Sequence, residues 1–228
     1  MAGQSPKVLI LGIGNLLWAD EGFGVRAVEE LHRTYAFGPD VRLVDGGTQG
    51  IYLVQDIREA ELLVVFDAVD YADAPGTLRL VEGEEVPKFM GAKKISLHQT
   101  GFQEVLAMAE MMGDAPRELL LVGVQPVELE DFGGSLRDAV KAQIGPAIAA
   151  ALDWLAARGV EARRRPVPLP PEQGIGCLTM LIEAYEAGRP DSAAAPRHGD
   201  ARLVNDPGWQ APRDFDAEMA ALVSAGAR

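Results

Sequence analysis

Acidic side chains stand at three comparable places in this chain. Asp20 and Glu21 follow the glycine turn of "LGIGN", Asp45 closes "VRLVD", and Asp67 closes "ELLVVFD". His98, in "ISLHQTG", sits just before a helix pattern over 100–112. If the three apolar runs are parallel strands of one sheet, their acids emerge at one edge, the edge where open α/β sheets bind ligands. Carboxylates and an imidazole meeting there would suit a divalent transition metal such as nickel or zinc. Each acid alone is better read as a loop residue or helix N-cap. Three on successive strand ends carry a shared site at least as readily. The spacing is long-range, so only a fold can bring these residues together.

Other chemistries find less support. Gly12 and Gly14 begin a G-x-G-x-x-G pattern, but Leu17 replaces the third glycine, and Asp45 lies well beyond the usual offset for a ribose-binding acid. Two carboxylates at the turn would also repel a pyrophosphate. The glycines more simply serve the turn itself. H-E-x-x-H, a cysteine pair and G-x-S-x-G are all absent from the sequence. Cys177, the single cysteine, has no evident His partner and excludes an internal disulfide, which fits a reducing compartment. His32 falls on a helix face and His198 in the tail, and Met108, Met111 and Met112 read as a helix flank. A formal net charge of −13 opposes binding to nucleic acid or anionic membrane. The N-terminal apolar run breaks at Gly12, too early for a signal peptide or spanning helix, so a cytoplasmic protein is expected.

The elements that must position the acids alternate between strand and helix. "KVLILG", "VRLVDGG", "ELLVVFDAVD" and "RELLLVGVQP" are short, β-rich runs bounded by glycine or proline. "APGTLRLVEGEEV" reads as an edge strand after a Pro-Gly turn. "FGVRAVEELHRTY" places Val25, Val28, Leu31 and His32 at helical spacing with charges opposite. "GIYLVQDIREA" and "TGFQEVLAMAEMMG" read as helices, the latter closed by Gly113. A long last helix is expected from Ser135 as N-cap to Gly159 as C-cap, kinked or broken at Pro146. This order predicts an α/β fold with a mostly parallel sheet between helical layers. Residues 1–160 form the expected domain. Residues 161–228 turn basic and proline-rich, the composition of a linker and partly disordered extension, with a possible terminal helix in "FDAEMAALVSAGA".

In combination, "LGIGNLLWADEGFGVRAVEEL", "VDGGTQG", "DAVD" before "APGT", "KISLHQTGFQEVL" and "LVGVQP" resemble the hydrogenase maturation endopeptidases. The likeness covers about residues 7–160, and the opening turn is most similar to the uptake-hydrogenase branch. It implies a three-layer α/β/α sandwich around a twisted five-stranded sheet. It also implies removal of a C-terminal extension from the large-subunit precursor of a NiFe hydrogenase, after nickel insertion, with the nickel carried by that precursor. Glu21, Asp67 and His98 match the family's metal-contacting residues. Asp45 matches the aspartate of its D-G-G-T motif, so Asp45, Glu21 and Asp67 are the candidate catalytic carboxylates. Asp20 is expected only to position the loop. A non-catalytic nickel-binding chaperone of the same large subunit would use the same crevice, and a small-molecule enzyme could share the scaffold.

Overall fold

Val8–Ile13 (β1) is buried at every position, and so is Leu62–Ala68 (β4). Strands apolar on both faces must lie inside a sheet covered on both sides, and that is where these two sit. The computed structural model describes residues 7–87 and 97–190, with backbone alone at 97–100. Its main sheet also holds Val41–Gly47 (β3), Leu78–Glu82 (β5) and Glu118–Val124 (β6), in the order β3-β1-β4-β6-β5. The first four run parallel, and β5 lies antiparallel on the edge beside β6.

Each face carries its own core. Phe23–Thr34 (α1) and Ile144–Ala156 (α5) cover one face with Phe23, Val28, Leu31, Ile148 and Leu155. Val54–Arg58 (α2) and Leu97–Met111 (α3) cover the other; Ile57 comes from α2, and Phe102, Val105 and Leu106 come from α3. The crossover from β1 leads through α1 to β3, and the chain then returns through α2 to β4 on the opposite side of β1. The strand order therefore reverses between β1 and β4, the switch point at which such sheets open a crevice.

Local chemistry explains where elements depart from expectation. The long last helix is broken into Asp138–Lys141 (α4) and α5. Pro146 occupies the first turn of α5, where its missing N–H costs nothing. Ser135 does not cap a helix, because its hydroxyl donates to Glu186 instead, at 2.8 Å. Gly159 (φ +78°) and Gly113 (φ +78°) each supply the left-handed residue that ends a helix. The helix bearing His98 is described from Leu97 onward, which places the histidine within the helix rather than before it.

Residues up to Arg189 form one unit, so the expected boundary at 160/161 falls inside it. Ala162–Arg164 (β7) pairs antiparallel with Tyr35–Phe37 (β2), the strand that follows α1. From there a strap, residues 162–189, runs back along α1. The Arg165 and Leu169 N–H groups donate to the Thr34 and Arg33 carbonyls at 2.8 and 2.9 Å. The strap includes the short helix Ile182–Gly188 (α6). The possible terminal helix near residue 220 lies outside the described residues. No described helix is long and apolar enough to cross a membrane.

Candidate functional site

The glycine turn after β1 is shaped by close approach of backbone to backbone. A Cβ on Gly14 (φ +141°) would lie 1.8 Å from the Glu21 carbonyl oxygen, and one on Gly12 would lie 2.3 Å from the Gly24 carbonyl oxygen. Gly24 in turn leaves room for the Phe66 carbonyl, 2.1 Å from where its Cβ would be. The chain thus folds straight back over the strand ends. The turn Ala19–Gly22 packs against β4, and Glu21, half-buried, rides on it.

Asp20 is fully buried and holds that turn in place. Its Oδ2 accepts the Val127 and Glu128 N–H groups at 2.8 and 2.9 Å, and its Oδ1 accepts the Arg137 N–H at 2.7 Å. Three backbone donors make this a carboxylate turned inward, away from any ligand. The loop after β6 grips the same segment a second way. Gly133 N–H donates to the Leu17 carbonyl at 2.7 Å, and the Trp18 and Phe132 rings meet edge to face at 5.2 Å.

Asp67 is fully buried near the end of β4, with Oδ1 accepting the Ala68 N–H at 2.8 Å. Its register partner is Gly123. A Cβ there would come within 2.2 Å of the Tyr71 hydroxyl, so the glycine makes room for the Tyr71 ring. Burial first, and then the neighbouring Asp67 charge, push the Tyr71 phenol far above its ordinary range, so it stays protonated beside that carboxylate. Buried Gln125 arranges the loop between them. Its side-chain oxygen accepts the Tyr71 N–H at 2.7 Å, and its side-chain nitrogen donates to Asp70 at 3.0 Å.

Side-chain alternation assigns the acids to faces. Gly12 is opposite both Asp45 and Phe66 in the parallel register, and Phe66 belongs to the α1 face. Asp45 therefore shares the α1 face, and Asp67, one residue beyond Phe66, belongs to the α3 face. His98 is carried by α3, whose early residue Gly101 lies beside Gly50 of the "DGGTQG" loop. The His98 side chain is outside the described residues. Among the described residues no three His, Cys, Asp or Glu side chains converge on a metal-sized site.

Asp45 keeps different company. Burial raises its proton affinity, against the opposing pull of the Gly47 N–H and the Arg26 guanidinium. Arg26, read from sequence as part of a charged outer face, is only 5% exposed because the strap covers it. Its Nη1 donates to Glu29 at 2.9 Å and to the Met180 carbonyl, and its guanidinium lies 5.8 Å from the Tyr185 ring centre. Burial likewise raises Glu29, with Arg26 opposing. A groove of about 830 Å³ between α1 and the strap is lined by residues including Arg26, Leu169 and Ile182. Neither Glu21 nor Asp67 lines it.

Sequence reasoning missed Tyr71, Gln125 and Arg26 as participants. Gln125 was within reach, since a polar residue closing a buried strand needs a partner. Tyr71 and Arg26 were not, because their roles depend on Gly123 and on the strap.

Comparison with known proteins bears directly on this arrangement. A family model described as hydrogenase maturation protease matches residues 25–154, more than half of the chain. The hydrogenase expression/formation protein HupM of Azotobacter chroococcum is 61% identical over 208 residues, 91% of this chain and 98% of its own. The hydrogenase 2 maturation protease of Escherichia coli is 42% identical over 157 residues, 68% of this chain and 94% of its own. Among solved structures, the hydrogenase maturating endopeptidase HybD of E. coli superposes with a TM-score of 0.67 at 41% identity, covering 70% of this chain and 98% of its own.

Proposed function

Because the chain belongs to the hydrogenase maturation proteases, and is therefore a peptidase, we propose that it removes the C-terminal extension of a NiFe-hydrogenase large-subunit precursor after nickel insertion. The nickel is part of the substrate. Glu21, Asp67 and His98 complete its coordination when the precursor docks over the carboxyl ends of β1 and β4. Imidazole with carboxylates is a fitting set for that ion. Substrate-borne nickel then polarises the scissile carbonyl or lowers the pKa of a bound water.

The observation that carries this reading is the place of Asp67. It is a fully buried carboxylate at the switch point, beneath the turn bearing Glu21 and on the same face as the helix bearing His98. Tyr71 beside it holds a proton within the same pocket of residues. The general base is drawn from Asp45, Glu21 and Asp67. Asp45, across the sheet, steadies the Gly46–Gly47 turn through its Gly47 N–H interaction rather than meeting the metal. The acidic chain takes a protein partner and neither nucleic acid nor membrane, and it works in the cytoplasm.

The test is a cleavage assay read by intact mass, with precursor in nickel-loaded and nickel-free forms. Loss of a terminal peptide from the loaded form alone is expected. Stable binding with no mass change in either form would replace the protease by a chaperone. Cleavage of nickel-free precursor would remove the metal check.

A further inference from the structure

The strap lies beyond the region matched by the family model, yet it reaches the loop that fixes the candidate site. At its end, Arg189 Nη2 donates to both oxygens of Asp131, at 2.9 and 2.7 Å. Arg137 donates to the same carboxylate at 2.8 Å. The Asp131 side chain is only 12% exposed, with Arg137 and Arg189 35% and 26% exposed, so this is a part-buried three-residue network. Burial would raise the Asp131 carboxyl, but the hydrogen bonds from Arg137 and Arg189 outweigh it and hold it below its ordinary value. The backbone N–H of Arg137 then donates to Asp20, the residue before Glu21. A second anchor lies alongside. Glu186 accepts from Lys141 at 2.8 Å and from Ser135, in the same loop, at 2.8 Å.

We propose that the strap is a positioning element for peptide cleavage: Arg189, through Asp131 and Arg137, fixes the 126–137 loop that holds Asp20 and so sets the placement of Glu21. The proposal rests on the reading that Glu21 meets the substrate. Arg189 touches no reacting atom and acts only through the loop. A single nitrogen, Nη2, spans both oxygens of Asp131, a contact that an ammonium can also make, as Lys141 does on Glu186.

The experiment uses the full chain carrying Arg189→Ala, Arg189→Lys or, as a remote control, Arg42→Ala. Hydrogen exchange is followed at the Val127, Glu128 and Arg137 amides, and kcat and KM are measured on nickel-loaded precursor. Arg189→Ala should speed exchange at those three amides about tenfold while β1 and β4 stay protected. It should lower kcat about tenfold, as a small displacement of a reacting group does, with KM changed less than kcat. Arg189→Lys should recover part of both effects, and Arg42→Ala should alter neither. Unchanged exchange, unchanged kcat, or a loss confined to KM would each overturn the proposal. If the unsubstituted protein leaves nickel-loaded precursor intact, the protease reading fails. The exchange measurement then decides the strap's hold on the loop by itself.

Discussion

Replacing Asp20 by Asn keeps every heavy atom in place, so its cost comes from charge and hydrogen bonding. The amide can place its oxygen where Oδ2 accepts from Val127 and Glu128, but its NH₂ group then faces the Arg137 N–H, donor against donor. One charge-assisted bond is lost, about 1.5–3 kcal/mol, and two others fall from charged to neutral acceptors, about 1 kcal/mol each. The combined loss is about 4 kcal/mol at a site with no exposure to water. For a domain of this size each kcal/mol moves Tm by about 2–4 °C, so a drop of roughly 10 °C is expected. Calorimetry on the full chain, with a urea titration beside it, measures this. A fall below about 3 °C, with an unchanged urea midpoint, would refute the account of Asp20 as the fastener of the turn.

Gly14→Ala places a methyl group against the Glu21 carbonyl at positive φ; precursor cleavage should be lost and stability should fall by about 2 kcal/mol or more, read by urea denaturation. Ending the chain at residue 161 removes β7 and uncovers Arg26, so Tm should drop by about 5 °C or more; an unchanged melt would show the strap to be thermodynamically idle. Burial and the Arg165 charge lower the pKa of His32 from 6.5, so its contribution is present above that value and is lost as pH falls through the folded-state pKa. Tm of the native chain should therefore fall more steeply below pH 6.5 than that of His32→Gln, and parallel curves would exclude this source.

The strands were legible because burial on both faces leaves an uninterrupted apolar run, as in "VLILGI" and "LLVVFDA". The acids at their ends were legible for the same reason, since an aspartate after such a run must mark the edge of the sheet. The faces were not distinguished, because that depends on which residue of β3 lies opposite Gly12. Ser135 misled because a good capping residue before a helix pattern can prefer another partner, here Glu186. The strap misled most. "EARRRPVPLPPEQG" has a linker's composition, and only its backbone bonds to Thr34 and Arg33, and the carbonyl that meets Arg26, show it docked.

The contact of Gly12 with Gly24, and of Gly24 with the Phe66 carbonyl, has a consequence for how this protein can change. At Gly24 the first turn of α1 rests on main chain, on the Phe66 and Ile13 carbonyls, with no side chain between that residue and the strands. Repacking the core around Leu31 or Ile148 would alter how tightly the far end of the layer is held. It would not alter the height at which Glu21 stands over the strand ends. Stability and site geometry are in this sense separately adjustable, and thermal tolerance can drift without retuning the candidate site.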